Sequence, residues 1–141
     1  MKELLQRHYP WCRAASAATL DRLMAESVAV NFSAGSAVFD EHLPCAHFPL
    51  VLEGSIRVRK LAAQGKALLL YPVAAGESCI LTSSCLLGRR DYTASAIAET
   101  DVSVLAMPRA LFLELLGSEP AFRHEMYEKI RACYAVLMKL D

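Results

Sequence analysis

The 141-residue chain has no apolar run approaching the roughly 20 residues that a membrane-spanning helix needs. No secretory leader is expected either, because "MKELLQRHYPWCRAASAATL" carries charges and Pro10 where a signal peptide requires an unbroken apolar stretch. Excess charge is missing too: 15 basic residues balance 15 acidic ones, so no overall field draws the chain toward nucleic acid or an anionic membrane. The five cysteines, Cys12, Cys45, Cys79, Cys85 and Cys133, are odd in number and widely spaced, unlike the frame of a small disulfide-stapled domain. Together these absences predict a soluble, cytoplasmic protein that binds its partners locally. The length suits a single domain, 1–141, with one core.

What is present changes period twice. "KELLQRH" reads as a helix ending before Pro10, and "SAATLDRLMAES" as a second, capped by Ser16, with Leu20, Leu23 and Met24 on one face. From Val28 the apolar residues alternate: Val28, Val30 and Phe32; Leu50 and Leu52; Ile56 and Val58; Leu68 and Leu70; Ala94, Ala96 and Ala98; Val102, Val104 and Ala106. Gly35, Pro44, Gly54, Gly65, Gly76 and Gly88 fall between these runs, so residues 28–107 are expected to form a jelly roll or β-roll. The helical period returns in "PRALFLELLG" (108–117), with Pro108 in the first turn and Gly117 as the stop. A last helix over 118–141 is expected to be capped by Ser118, with Glu125 facing Lys129 one turn on. Its apolar positions Met126, Ile130, Cys133, Leu137 and Leu140 step by four, three, four and three. That is the spacing of a coiled-coil seam, and it predicts a parallel homodimer along this helix.

Two N-terminal helices (within 1–26), a β-roll and a long terminal helix resemble the sensor domain of the Crp/Fnr transcription regulators, which has the cyclic-nucleotide-binding fold. "PLVLEGSIRVRK" (Pro49 to Lys60) is similar to the family's strand, glycine turn and strand. "GKALLLYPVAAGES" (Gly65 to Ser78) resembles its next hairpin and the glycine before the effector cassette. "AETDVSVLAMPRALFLELL" (Ala98 to Leu116) resembles its last strand and the helix that follows. The likeness runs from about Leu20 to Leu140. The fold class it implies is mainly β with flanking helices, a double-stranded β-helix with a long C-terminal dimerisation helix.

The resemblance places "GESCILTSSCLLGRRDYTAS" (Gly76 to Ser95) at the phosphate-binding cassette. Members that bind cyclic AMP hold its phosphate with a helix N-terminus and the arginine of an Arg-Ser/Thr-Ala motif, and its ribose with the glutamate of a Gly-Glu pair. Aligning Thr93-Ala94 with that motif puts Tyr92 in place of the arginine, and the Gly-Glu pair falls within Ile80-Leu81-Thr82; Gly76-Glu77 matches the turn before it. A buried phosphate without its cation costs several kcal/mol, whereas a helix terminus returns about 0.3–2 kcal/mol. Cyclic AMP is therefore not the expected effector unless Arg89 or Arg90 swings inward to replace the missing guanidinium. Leu81, Thr82, Ser83, Ser84, Cys85, Arg89, Tyr92 and Thr93 are the candidate effector pocket, suited to a small neutral or weakly acidic molecule. The alternative is a pocket filled by Tyr92 itself.

Cys79 and Cys85 flank the expected start of the cassette helix and are candidate redox residues, through a bridge or a sulfenic acid; plain burial is the alternative. Iron–sulfur relatives carry a closely spaced N-terminal cysteine run, but only Cys12 precedes Cys45 here. In "EHLPCAH" His42, Cys45 and His47 share a loop that reads as a surface turn, so neither haem nor another metal is expected. A cupin-like enzyme, also a β-roll, would need a His-x-His pair, and His42 and His47 are separated by four residues. No nucleophile and base pair is suggested either, and an enzyme is not expected. The cyclic-nucleotide domain of a kinase or channel meets the same objection at Tyr92.

No basic recognition helix stands in the chain, so DNA binding is expected only through a helix-turn-helix absent from it. The resemblance also implies allostery from Cys85 and Tyr92 to Met126–Cys133 on the seam.

Overall fold

The structure is a computed structural model that describes residues 1–61, 67–77, 86–88, 91 and 94–138, with the backbone alone for residues 60–61, 67–71 and 133–138. Three helices lead the chain: α1 (Lys2–His8), α2 (Pro10–Ala14) and α3 (Ala17–Glu26). The strands are β1 (Val28–Phe32), β2 (Ala37–Phe39), β3 (His47–Glu53), β4 (Ser55–Leu61), β5 (Ala67–Ala74), β6 (Ser95–Ala98) and β7 (Val102–Pro108). Helices α4 (Arg109–Ser118) and α5 (Pro120–Met138) follow, and residues 86–88 form a short helical stretch.

Proline sets the helix boundaries at both ends of the chain. A residue before proline is pushed out of the helical region, and Tyr9 (φ −121°, ψ 103°) and Glu119 (φ −116°, ψ 97°) are both extended. Pro10 thus ends α1 and also opens α2, a five-residue helix the sequence reading missed. Three expectations near α4 are corrected, the first two for the same reason. Gly117 lies inside α4 and does not stop it; the stop is Glu119, whose N–H bonds to Leu115 O. Ser118 Oγ donates to Glu114 O at 2.9 Å, so it closes α4 and does not cap α5, which starts at Pro120. Pro108 ends β7 and is the N-cap residue of α4. Ser16, by contrast, caps α3 as expected, accepting from Thr19 N–H at 3.1 Å.

The strands form two antiparallel sheets, ordered β1-β7-β3 and β2-β6-β4-β5. Side-chain alternation divides the core between two layers. Val51, Val102 and Val104 point between the sheets, where they meet Ile56, Val58, Val73, Ala94, Ala96 and Ala98. Phe48, Leu50, Leu52, Leu105 and Met107 point the other way, onto the helices. Strand β3 is therefore buried on both faces over Phe48–Leu52.

On the helix side an aromatic cluster joins both termini to β3. Trp11 meets Phe122 edge-on at 4.7 Å between centroids, Phe48 stacks on Phe112 at 4.9 Å, and Phe112 meets Phe122 at 5.7 Å. Such pairs add about 0.5–1.5 kcal/mol each beyond burial.

Gly54, at the β3–β4 corner, has φ 81°, and a Cβ there would lie 2.2 Å from Asp101 O and 2.6 Å from Thr100 Oγ1. The β3–β4 and β6–β7 turns can pack back to back only without that carbon. A left-handed backbone alone costs a side chain about 1–3 kcal/mol, and the clash with backbone oxygen adds to it. Gly54→Ala is accordingly expected to lower unfolding free energy by about 3 kcal/mol in urea titrations, while Gly35→Ala, whose Cβ meets nothing within 4 Å, loses only the backbone part.

Candidate functional site

The segment the sequence singled out lies between β5 and β6. Cys79, Leu81, Thr82, Ser83, Ser84, Cys85, Arg89, Arg90, Tyr92 and Thr93 are outside the described residues. Its flanks are described. On the leading side, Gly76 has φ 84° and a Cβ there would lie 2.6 Å from His8 O, so only glycine fits where the turn after β5 presses directly on the end of α1. Glu77 closes that turn: its N–H donates to Ala74 O at 3.0 Å and its Oε1 accepts from Ala74 N–H at 3.1 Å. On the trailing side Leu86 is fully buried, and its carbonyl accepts from Arg109 Nε at 2.9 Å. A bridge between Pro44 and Asp91 brings the 40–46 loop alongside.

The interior of the roll is apolar where it is described. Val58, Val73, Ala94, Ala96 and Val51 are all buried between the sheets. Among the described residues no basic side chain joins them: Arg57 and Arg59 are exposed, and Arg57 pairs outward with Glu99, which also accepts from Ser55 Oγ at 2.8 Å. At the β1–β2 side the space between the sheets opens to solvent in a cavity of ≈ 280 Å³ lined by Val28, Val30, Phe32, Val38, His47 and Ala106, among others. The sequence reading did not anticipate this opening, which follows from β1 and β2 each being an edge strand with one neighbour.

The flank and the helices meet at Tyr9, whose role the sequence reading also missed. Its phenol oxygen accepts from Val51 N–H at 2.8 Å, and its hydrogen is shared between Glu77 O at 3.1 Å and Val51 O at 3.2 Å. Helix α5 adds Glu125, which accepts from Trp11 N–H at 2.9 Å through Oε1 and from Lys129 Nζ at 2.9 Å through Oε2. The Glu125–Lys129 pairing was legible as an i,i+4 spacing; its junction with Tyr9 was not, because nothing local in "RHYPW" announces a partner 42 residues away.

Other expected site residues are dispersed. Met126 is 3% exposed and packed in its own domain's core, which corrects its place on the dimer seam. Ile130 is 38% exposed, and its outward neighbour is Tyr127 at 63%. The side chains of Cys133 and Leu137, and all of Leu140, are outside the described residues. His42 is exposed and left-handed at φ 72°, His47 is exposed and Cys45 half-buried; among the described residues no three His, Cys, Asp or Glu side chains converge as a metal site would require. No described helix is long and apolar enough to cross a membrane.

Two antiparallel sheets rolled around an apolar interior, with helices from both ends packed on one face, define a helix-flanked β-roll module. The family profile described as the cyclic nucleotide-binding domain matches residues 29–119, and the chain belongs to that family. Among curated proteins none matches. Solved structures share the fold. A protein from Eubacterium rectale described as a Crp/Fnr-family transcriptional regulator superposes with a TM-score of 0.81 at 17% identity, over 95% of this chain and 62% of that one. The catabolite activator protein of Thermus thermophilus gives 0.76 at 22% identity, over 94% and 62%. The sensor domain of the transcriptional regulator DNR from Pseudomonas aeruginosa gives 0.79 at 20% identity, over 98% and 91%. This chain thus spans about 62% of the length of the first two and nearly all of the DNR sensor domain.

Two buried acids give the junction a pH signature. Burial, aided by the Glu125 carboxylate, pushes the Cys12 thiol from its ordinary 9.0 up to about 12. Burial also holds the Tyr9 phenol far above its ordinary 10.0. Both groups ionise in the unfolded chain before they do in the fold, so their contribution is whole below about pH 9 and is lost as pH climbs toward the folded values. Urea midpoints are expected to fall steadily above pH 9, and Cys12 to resist iodoacetamide until the protein unfolds. Tyr9→Phe strands Val51 N–H without a partner and is expected to cost about 1–3 kcal/mol at pH 7 while flattening the alkaline decline.

Proposed function

We propose that this chain is the effector-sensing and dimerisation module of a Crp/Fnr-like transcription regulator in the cytoplasm, non-enzymatic, and answering to something other than cyclic AMP. The observation that carries the effector reading is the apolar roll interior, in which no described cation stands beside Val58, Val73 and Ala96. Arg57 and Arg59 face solvent, so a cyclic phosphate would depend on Arg89 or Arg90, and Tyr92 occupies the motif position of the usual guanidinium. A small neutral or weakly acidic effector, held by the hydroxyls of Thr82, Ser83, Ser84, Tyr92 and Thr93, suits such an interior better. Cys79 and Cys85 provide a redox response as the second reading of the same segment. Regulation of transcription is the function that the names of the structural neighbours support.

The dimerisation reading rests on α5. Tyr127 and Ile130 are large apolar side chains three apart on the outward face of the helix, at 63% and 38% exposure. With Met126 taken into the core, the contact surface is proposed to turn by one position, from the Met126 line toward Tyr127.

Calorimetry with cyclic AMP and cyclic GMP is expected to show no binding up to millimolar nucleotide. Micromolar binding that Arg89→Ala or Arg90→Ala abolishes would refute the effector reading. Sedimentation equilibrium is expected to give a dimer that Tyr127→Glu weakens at least tenfold, whereas Met126→Leu leaves its affinity within about twofold.

A further inference from the structure

Lys129 reaches back from α5 and directs its ammonium group to two acceptors, Gly76 O at 2.7 Å and Glu125 Oε2 at 2.9 Å. The same nitrogen stands 5.1 Å from the centroid of the Tyr9 ring, whose face attracts a cation. Only 26% of the Lys129 side chain and 13% of Glu125 are exposed, so these bonds are sheltered from competing water. Glu125 is itself held by Trp11 N–H. One cation thus stands where α5, the start of α2, the end of α1 and the Gly76–Glu77 turn come together.

That turn has little room to move. Gly76 already lies against His8 O, closely enough to exclude a Cβ, and the Glu77 carbonyl is tied to the Tyr9 hydroxyl. At the trailing flank Arg109, the first residue of α4, holds Leu86 O. Helices α4 and α5 are joined through Phe112 and Phe122, so this helix pair touches the chain on both sides of residues 78–85 by a cationic hydrogen bond to a backbone carbonyl.

We propose that Lys129 is a positioning residue that locks α5 to the Gly76–Glu77 turn, so that the seat of the helix and the geometry of the turn change together or not at all. Its use in regulation rests on the sensor reading above, under which an effector acts on the segment that this turn introduces. The lock itself does not need an effector. A charge-assisted bond to a carbonyl is strong and directional, and the ring of Tyr9 gives the ammonium no equally good alternative seat.

Hydrogen exchange on the effector-free protein tests it. Lys129→Met keeps an apolar stem over the Tyr9 ring and removes every donor. The expected result is that the Glu77 amide, bonded to Ala74 O, and the amides of residues 126–132 lose protection together by at least tenfold, while β7 and α3 keep theirs. Glu125→Gln retains an acceptor for Trp11 N–H and removes the charge that orients Lys129; the same two regions are expected to lose at least threefold. It is the second arm should Lys129→Met not fold. Uniform loss across the chain, loss confined to the turn or to α5 alone, or unchanged exchange would each overturn the lock. A protein that fails to dimerise or to bind an effector but shows the paired loss would refute the sensor reading and leave the lock standing.

Discussion

The buried hydroxyl of Tyr9 is the constraint on which the arrangement depends. A phenol deep in a protein needs partners for its oxygen and its hydrogen, and Tyr9 finds them on β3 and on the turn after β5. Three parts of the chain that share no ladder are thereby fixed to one point. Lys129 then sits over the ring and brings the last helix to the same place. Burial keeps the phenol protonated well above its ordinary range, so the point stays neutral while a cation and a carboxylate pair beside it.

Around this point the two faces of the three-stranded sheet do different work. The face toward the helices carries the large residues, Phe48, Leu50, Leu52 and Leu105, and packs them against both termini. The face toward the second sheet carries valines against small alanines of β6, and the described part of the interior is apolar and opens to solvent beside β1 and β2. The described layer between the sheets ends at Ala94, where the segment proposed to meet an effector rejoins the roll.

Much of the fold was legible because its signals are local. The Ser16 cap, the alternation from Val28 to Phe32 and from Val102 to Ala106, and the glycine at the β3–β4 corner each announce themselves within a few residues. Strand β3 was harder, since Pro49 interrupts it and both its faces are covered, leaving only Leu50 and Leu52 as a pattern. β2, three residues long, gave no pattern to read. The errors near α4 came from weighing Gly117 and Ser118 above Pro120, although a proline constrains its neighbour more strictly than glycine ends a helix. The candidate segment was delimited in the sequence by Gly76 and Ala94, whereas the junction beside its leading flank was invisible: Tyr9, Gly76 and Lys129 meet only after folding. Met126 shows the same limit on the last helix, because a four-three spacing describes a stripe without saying whether a partner or the helix's own domain covers it.

The distances in sequence at the Tyr9 junction have a consequence for how the protein is made. Tyr9 bonds to residues 42 and 68 positions later, and Trp11 to one 114 positions later. Residues 2–14 leave the ribosome long before any of these partners exist, and helices of seven and five residues do not hold by themselves in water. Residues 2–14 therefore meet these partners only once nearly the whole domain has emerged, a non-local closure of the kind that slows folding.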